Sequence, residues 1–331
     1  MIRQRQAAGI ISAGSSEPDV FARTVTIAFI SHPDCLLHDM GAMHPECPAR
    51  LRAIDDQLIA SGLANFLVHL DAPLAQKEHL ARVHSAEHIA RIEASSPHSG
   101  LQHLDPDTAM CPDTLKAALR AAGAAVEATD KVIGGEAQTA FCSVRPPGHH
   151  AERARAMGFC LFNNVAVAAA HALEHHGLER VAIADFDVHH GNGTEEIFAN
   201  DGRVLMVSTF QHPFYPYSGI DGFSERMVNV PLAAYSGGEQ FRAAVTEHWL
   251  PALEKFKPQM IFISAGFDAH RDDEMAMLRL VEADYAWVTQ QLKAVAGKYA
   301  QGRIVSMLEG GYELHALGRS VATHLKVLGD L

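Results

Sequence analysis

Six short runs of this chain are almost wholly apolar or β-branched: residues 24–30, 139–144, 180–184, 204–208, 260–264 and 304–308. A strand with one face in water alternates apolar and polar residues. A strand apolar along its whole length is buried on both faces, as in a parallel sheet covered by helices. Between these runs lie longer Ala/Leu-rich stretches that predict helices at 49–61, 114–133, 163–176, 238–256, 283–300 and 315–328. In the second of them Leu115, Leu119, Ala122, Val126 and Thr129 recur at helical spacing and leave Lys116 and Arg120 toward solvent. Strands alternating with helices predict an α/β domain around a mostly parallel sheet. No repeat, linker or break in composition divides residues 24–331, which are read as a single domain. Residues 1–23, with Ser12-Ala-Gly-Ser-Ser16 near their middle, read as a flexible N-terminal arm.

In an open parallel sheet, ligands bind at the carboxyl ends of the strands. Here run 139–144 leads into Arg145-Pro146-Pro147-Gly148-His149-His150, and run 180–184 into Asp185-Phe-Asp187-Val-His189-His190-Gly191-Asn192. Run 260–264 leads into Ala265-Gly-Phe-Asp268, and run 304–308 into Glu309-Gly310-Gly311-Tyr312. Four strands therefore deliver polar, glycine-bordered residues to one rim.

Composition sharpens what such a rim can do. The 331 residues carry 27 Lys+Arg against 39 Asp+Glu, a formal charge of −12, which disfavours a nucleic-acid backbone as a direct partner and suits a cationic one. With 48% apolar residues the chain has ample material for a core. Five cysteines without a Cys-x-x-Cys pair argue against a disulfide framework or a thiolate zinc site, and suit a reducing cytoplasm. No apolar run approaches the roughly 20 residues of a membrane span, and residues 1–23 lack a secretory core. A cytoplasmic protein is expected, with a homo-oligomer among the assemblies this reading allows. The 21 histidines invite a search for metal or proton-transfer chemistry.

Side chains at i, i+2 and i+4 of an extended segment share one side, so Asp185, Asp187 and His189 face one way, and Asp268 can join them from another strand end. Two carboxylates and an imidazole match the three-ligand set of a catalytic zinc, which keeps a fourth position for water and lowers that water's pKa to about 7. A lone Asp-x-His after a strand is ordinarily a polar loop; the convergence with Asp268 and His149-His150 favours the metal. An activated water needs a base and the leaving group an acid, and histidine commonly serves as either. Neighbouring residues of an extended chain point opposite ways, so both rings of His149-His150 reach one centre only through an irregular turn, for which Pro146-Pro147-Gly148 is suited. Asp185 is one carboxylate beyond the metal set, placed to accept from an imidazole or to hold a structural cation. Tyr312 can donate to a developing oxyanion; the plainer reading is a tyrosine capping a turn.

Together with Gly158-Phe-Cys-Leu-Phe-Asn-Asn164, His44-Pro-Glu-Cys-Pro-Ala-Arg50 and Arg82-Val-His84, these motifs resemble the zinc-dependent histone deacetylase and acetylpolyamine amidohydrolase family. The form is that of the class II deacetylases and bacterial deacetylase-like amidohydrolases, and it runs from about residue 26 to the C-terminus. The resemblance implies the arginase/deacetylase fold, a three-layer α/β/α domain around a parallel sheet of eight strands, two more than the apolar runs above. It implies that Asp187, His189 and Asp268 bind one catalytic Zn2+, that His150 is general base and then acid, and that His149 acts electrostatically, held by Asp185. The residues alone do not apportion those two histidine roles. Tyr312 matches the tyrosine that polarises the substrate carbonyl. N-acetyl-lysine or a related N-acyl amine would enter a channel lined by Gly158, Phe159, Tyr215, Met275 and Gly310, leaving as acetate and free amine. A structural K+ would take ligands among Asp185, Asp187, His189 and Ser208. Asn192 stands where class I deacetylases usually carry Asp; it can orient His150, but a neutral amide cannot raise an imidazole pKa as a carboxylate would. His150 is therefore expected to be less basic than in an Asp-bearing homologue.

Three alternatives are weighed. Polyamine-selective relatives often carry a gate Glu after the Asp268 strand or a long insertion before residue 114. Here Met275 holds the gate position, Glu274 falls one place early and stretch 97–111 is short, so a lysine-type substrate is favoured over acetylpolyamine. An arginase-like ureohydrolase with two manganese ions shares the fold, and Asp268-Ala-His-Arg-Asp272 resembles its metal motif. That motif, however, belongs on the strand bearing Asp187-Val-His189, where Gly191 replaces the extra carboxylate. A non-catalytic acyl-amine binding protein would be expected to lack a member of the base, metal and tyrosine set. His175-His176 is read as an exposed helix end, and His32, His38 and His44 as lying in a loop that borders the channel mouth in relatives.

Overall fold

The computed structural model describes residues 26–220 and 225–331. The expected arm at 1–23, and the first two residues of the expected strand at 24–30, lie outside the described residues. The strands among the described residues are β1 Ile27–Ser31, β2 Leu67–Asp71, β3 Gln102–His103, β4 Ala109–Met110, β5 Thr139–Cys142, β6 Val181–Asp185, β7 Val204–Gln211, β8 Met227–Leu232, β9 Met260–Ala265 and β10 Ile304–Leu308. Strands β3 and β4 form a small antiparallel pair. The other eight make one parallel sheet in the order β2-β1-β5-β10-β9-β6-β7-β8.

The six apolar runs are the six interior strands, and the two strands without such a run are the edges. β2 is exposed along most of its length, and β8 alternates buried and half-exposed residues and contains Pro231. An edge strand keeps one side open to solvent and tolerates a proline that cannot donate to a ladder, so neither carries the continuous apolarity of a covered strand. Helices cover both faces. Thr114–Ile133 packs on Asn164–Glu174, and both pack on central strands. On the other face Leu314–Leu328 packs on Ala49–Ala60 and Glu282–Tyr299. The stretch predicted as one helix over 238–256 contains a π turn, Val245–Trp249, between α-helices Gly238–Ala244 and Leu250–Phe256. Pro251 explains it, because its ring displaces the carbonyl four residues earlier and its nitrogen has no proton to give. Among the described residues no helix is long and apolar enough to cross a membrane.

Since the eight strands run the same way, their carboxyl ends share one rim. Register there sets Asp185 level with Ser208 on β7 and Ser264 on β9. Strand β7 continues past Ser208 to Gln211, and Ser208, Thr209 and Gln211 are buried despite their polarity.

Candidate active site

Asp187 and His189 leave the end of β6 and Asp268 leaves the end of β9, and one ligand atom from each lies within 4.8 Å of the others. His189 Nδ1 is 3.0 Å from Asp187 Oδ1 and 3.2 Å from Asp268 Oδ2, and all three side chains are buried. Backbone amides fix the carboxylates: Gly310 donates to Asp187 Oδ2 at 2.8 Å and Val188 to Asp268 Oδ1 at 2.9 Å. That leaves Asp268 Oδ2 buried with no hydrogen-bond partner and only His189 beside it, a position that a cation can complete. Gly310 keeps the space open, because a Cβ there would stand 2.1 Å from Asp268 Oδ2 and 2.6 Å from Asp187 Oδ2. Two carboxylate oxygens and one imidazole nitrogen are a zinc-type donor set. Burial opposes charge on His189, but Asp187 and Asp268 outweigh it and raise its pKa to about 9. Burial and the Asp187 charge raise Asp268 to about 6. Binding a metal at these residues would displace protons.

The turn after β5 places both tandem rings on the same centre, buried and 4.0 Å apart between centroids. Glu309 holds this turn: its carboxylate accepts from the backbone N–H of Gly148 at 2.7 Å and of His149 at 3.1 Å, and from Ser264 Oγ at 3.2 Å. Burial raises the pKa of Glu309 to about 7. His149 Nδ1 lies 2.9 Å from Asp185 Oδ2, and His150 Nδ1 lies 2.8 Å from Asn192 Oδ1. The two rings thus have different partners, one charged and one neutral. Burial disfavours charge on both, yet the Asp187 and Asp185 charges hold His149 well above the ordinary imidazole range. Burial and the nearby His149 and His189 push His150 well below it.

A cavity of about 150 Å³ opens onto this centre, and Gly158, Phe159, Tyr215, Met275, Gly310 and Tyr312 all line it. Gly158 has φ +58°, and a Cβ on it would stand 2.4 Å from His150 Cδ2, so the backbone here must be glycine for the ring to fit. The loop between β3 and β4 supports the wall: Asp107 Oδ1 accepts from Gly158 N at 3.1 Å and Thr108 Oγ1 from Phe159 N at 3.0 Å. Tyr312 follows the glycine pair after β10. Arg50 steadies that turn by donating to the Gly311 carbonyl at 2.6 Å and to the Glu309 carbonyl, and its guanidinium lies 5.0 Å from the Tyr312 ring centre. Burial and the Asp268 charge hold the Tyr312 hydroxyl protonated far above the ordinary range, against the pull of Arg50. Ser208, across from Asp185, has a buried Oγ without a hydrogen-bond partner.

Several residues here carry no assigned role in the sequence reading. Phe214 stacks on His189, with ring centres 5.4 Å apart, and Asp107 lines the cavity. Glu152 accepts from Asn192 Nδ2 at 2.8 Å. Glu152 lies two residues past His150, a spacing that signals nothing. Glu309 lies within a quoted motif, but its bonds to the turn depend on a strand far away in sequence. His38 is buried beside Thr114 and Glu46, while His44 packs edge-on against Phe159 at 4.7 Å.

Residues 44–328 match the family described as the histone deacetylase domain. The chain is similar to the histone deacetylase-like amidohydrolase of Pseudomonas aeruginosa, 40% identical over 82% of this chain and 73% of that one. It is similar to the polyamine deacetylase HDAC10 of Mus musculus, 38% identical over 92% of this chain, although it spans only 48% of that protein's length. Among solved structures it is similar to the HD domain of HDA15, with a TM-score of 0.86, 34% identity, and coverage of 93% of this chain and 90% of that one.

Proposed function

The chain belongs to the histone deacetylase family, a family of hydrolytic deacetylases, and on that premise we propose that it hydrolyses N-acetyl-lysine side chains or closely related N-acyl amines. The observation that carries this reading is the opening of one cavity onto His189, the tandem histidines and Tyr312 together, with Asp187 and Asp268 clustered on His189. Zinc held by Asp187, His189 and Asp268 supplies Lewis acidity for the acyl carbonyl and a water that is nucleophilic near neutral pH.

The protein's own part begins with proton positions. Glu152 is a carboxylate and only accepts, so the Asn192 amide turns its Nδ2 to Glu152 and its Oδ1 to His150. His150 Nδ1 must then donate, and its Nε2 is left free to take a proton. His150 is neutral and so able to act as the base, and it later returns that proton to the departing amine. His149 stays cationic, held by Asp185, and offsets negative charge developing on the substrate. The Tyr312 hydroxyl, with no hydrogen-bond partner among the described residues, donates to the oxyanion. We assign the unpartnered Ser208 Oγ, with Asp185, Asp187 and His189, to a structural potassium site.

Met275 lines the cavity and Glu274 does not; Glu274 lies with Asp272 and Asp273 in a neighbouring cavity that shares Met275 and Tyr312 with the first. An apolar gate favours a lysine side chain over a longer polyamine with a second ammonium group to bind. The arginase-like alternative needs a further carboxylate at position 191, where even a Cβ would stand 2.4 Å from Asp185 Oδ2. One sheet spans residues 27–308, which supports a single catalytic domain over 24–331. All five cysteines are free, in keeping with the reducing cytoplasm to which we assign the protein. The deciding experiment is a panel of acetyl- and trifluoroacetyl-lysine peptides and acetylated polyamines tested on zinc-loaded protein. The lysine substrates should show the higher kcat/KM; preferential turnover of acetylpolyamine would overturn the substrate assignment, and no turnover of any would favour a binding protein.

Two further outcomes are expected. Gly310→Ala places a methyl group where the ion belongs, so zinc per chain should fall sharply while the far-ultraviolet spectrum stays native; full zinc occupancy would contradict the assigned site. Asn192→Asp combined with Glu152→Gln, whose amide restores a donor to position 192, puts a carboxylate on His150. A carboxylate favours the imidazolium and raises its pKa, by about 1 unit or more. A base is lost as pH falls through its pKa, so the acidic limb of kcat/KM should move to higher pH. An unmoved limb would remove Asn192 from the base's control.

A further inference from the structure

Helix Asn164–Glu174 carries polar groups at both ends, and only its N-terminus lies beside the tandem histidines. At its N-terminus Asn163 caps the helix and donates to the backbone carbonyl of Ala151 beside the tandem histidines. At its C-terminus His171, His175 and His176 gather around Asp130, which comes from the neighbouring helix Thr114–Ile133. At 1.5 Å per residue, His171 stands about 12 Å along the helix from Asn163, toward the opposite rim of the sheet.

The geometry is that of a ligand set. One ligand atom from each of the four residues lies within 4.8 Å of the others. His171 Nε2 is 2.7 Å and His176 Nε2 is 2.6 Å from Asp130 Oδ1. His175 sits one turn after His171, and the two rings stack at 11° with centres 4.7 Å apart. Hydrogen bonding to Asp130 accounts for His171 and His176 but not for His175, whose ring nitrogens have no hydrogen-bond partner among the described residues. Histidines at i and i+4 on one helical face are a recurrent zinc-binding spacing, and a helix C-terminus favours positive charge.

We propose that Asp130, His171, His175 and His176 form a second metal site, which takes a divalent ion of the zinc and nickel class and clamps two helices together. Three imidazoles and one carboxylate suit such ions. Metal–nitrogen bonds of about 2.0–2.1 Å bring tetrahedral ligand atoms to about 3.4 Å from one another. Small rotations of His175, which is exposed, and His176, which is half-buried, close the present spacing. Arg82 donates to His171 Nδ1 at 2.7 Å. When Nε2 binds the ion, Nδ1 carries the proton, and Arg82 turns into the cavity it already lines with Arg153 and Arg203.

The test is nickel titration of the zinc-loaded protein by calorimetry, with metal counted per chain. One ion beyond the catalytic one should bind. His175→Ala and His176→Ala should each weaken that event at least about tenfold, and the double variant should abolish it, with deacetylation unchanged in all three. Asp268→Asn, which lacks the catalytic ion, should still bind one nickel ion and lose it when His175→Ala is added. That arm separates this site from the catalytic one. Absence of a second ion in the native chain, or a second ion indifferent to His175→Ala and His176→Ala, would overturn the proposal.

Discussion

Asp268→Asn is expected to empty the catalytic metal site and lower kcat/KM by roughly 10⁴-fold or more, because the metal's contribution to both water activation and carbonyl polarisation goes with it. The substitution is chosen for what it keeps. Asn retains an Oδ1 that can accept from Val188 N–H, now 2.9 Å from the carboxylate, so the loop after β6 loses no backbone bond. It removes the anionic Oδ2 that lies buried without a hydrogen-bond partner. Folding should therefore survive, with the melting temperature of the metal-free variant close to that of metal-free native protein. Zinc measured after dialysis should fall from about one ion per chain to near zero at this site. A variant that kept its zinc and its turnover would show that Asp268 is not a ligand.

Tyr312→Phe should lower kcat by about 10²–10³-fold, equivalent to about 2.7–4 kcal/mol, the usual cost of removing one oxyanion donor. Zinc content should not change, since Tyr312 is no member of the Asp187, His189 and Asp268 cluster. The ring itself remains, so its edge-on contact with Phe159 at 6.0 Å and the overlying Arg50 guanidinium persist. KM should move little, because the hydroxyl acts on charge that develops in the transition state. A loss of affinity with unchanged kcat would instead mark Tyr312 as part of the channel wall and no donor to the reaction.

The fold was legible in the sequence where burial is two-sided. Residues 139–142, 181–185, 260–265 and 304–308 are interior strands that are apolar along most of their length, and the polar residues at and after their ends mark the rim. β2 and β8 escape the same reading because edge strands answer to solvent on one side. The clustering of Asp187, His189 and Asp268 was legible for a related reason: Asp187 and His189 are two residues apart on extended chain, and Asp268 follows a strand that pairs directly with theirs. Glu152 and Glu309 were not assigned roles, because what each does depends on a partner brought in from elsewhere. Glu309 is 161 residues from the Gly148 amide it accepts from.

From residues alone the rim, its chemical type and its metal-ligand candidates could be derived, since strand apolarity and the two-residue period of extended chain are local properties. Which of His149 and His150 meets a carboxylate and which an amide could not, because the two are identical and adjacent. Folding separates them by their partners: Asp185, 36 residues from His149, gives one ring a carboxylate, and Asn192, 42 residues from His150, gives the other an amide. In a buried site the difference between a charged and a neutral acceptor sets protonation. The same is true of His171, His175 and His176. In sequence they end a helix, and Asp130 from a second helix makes them a candidate ligand set.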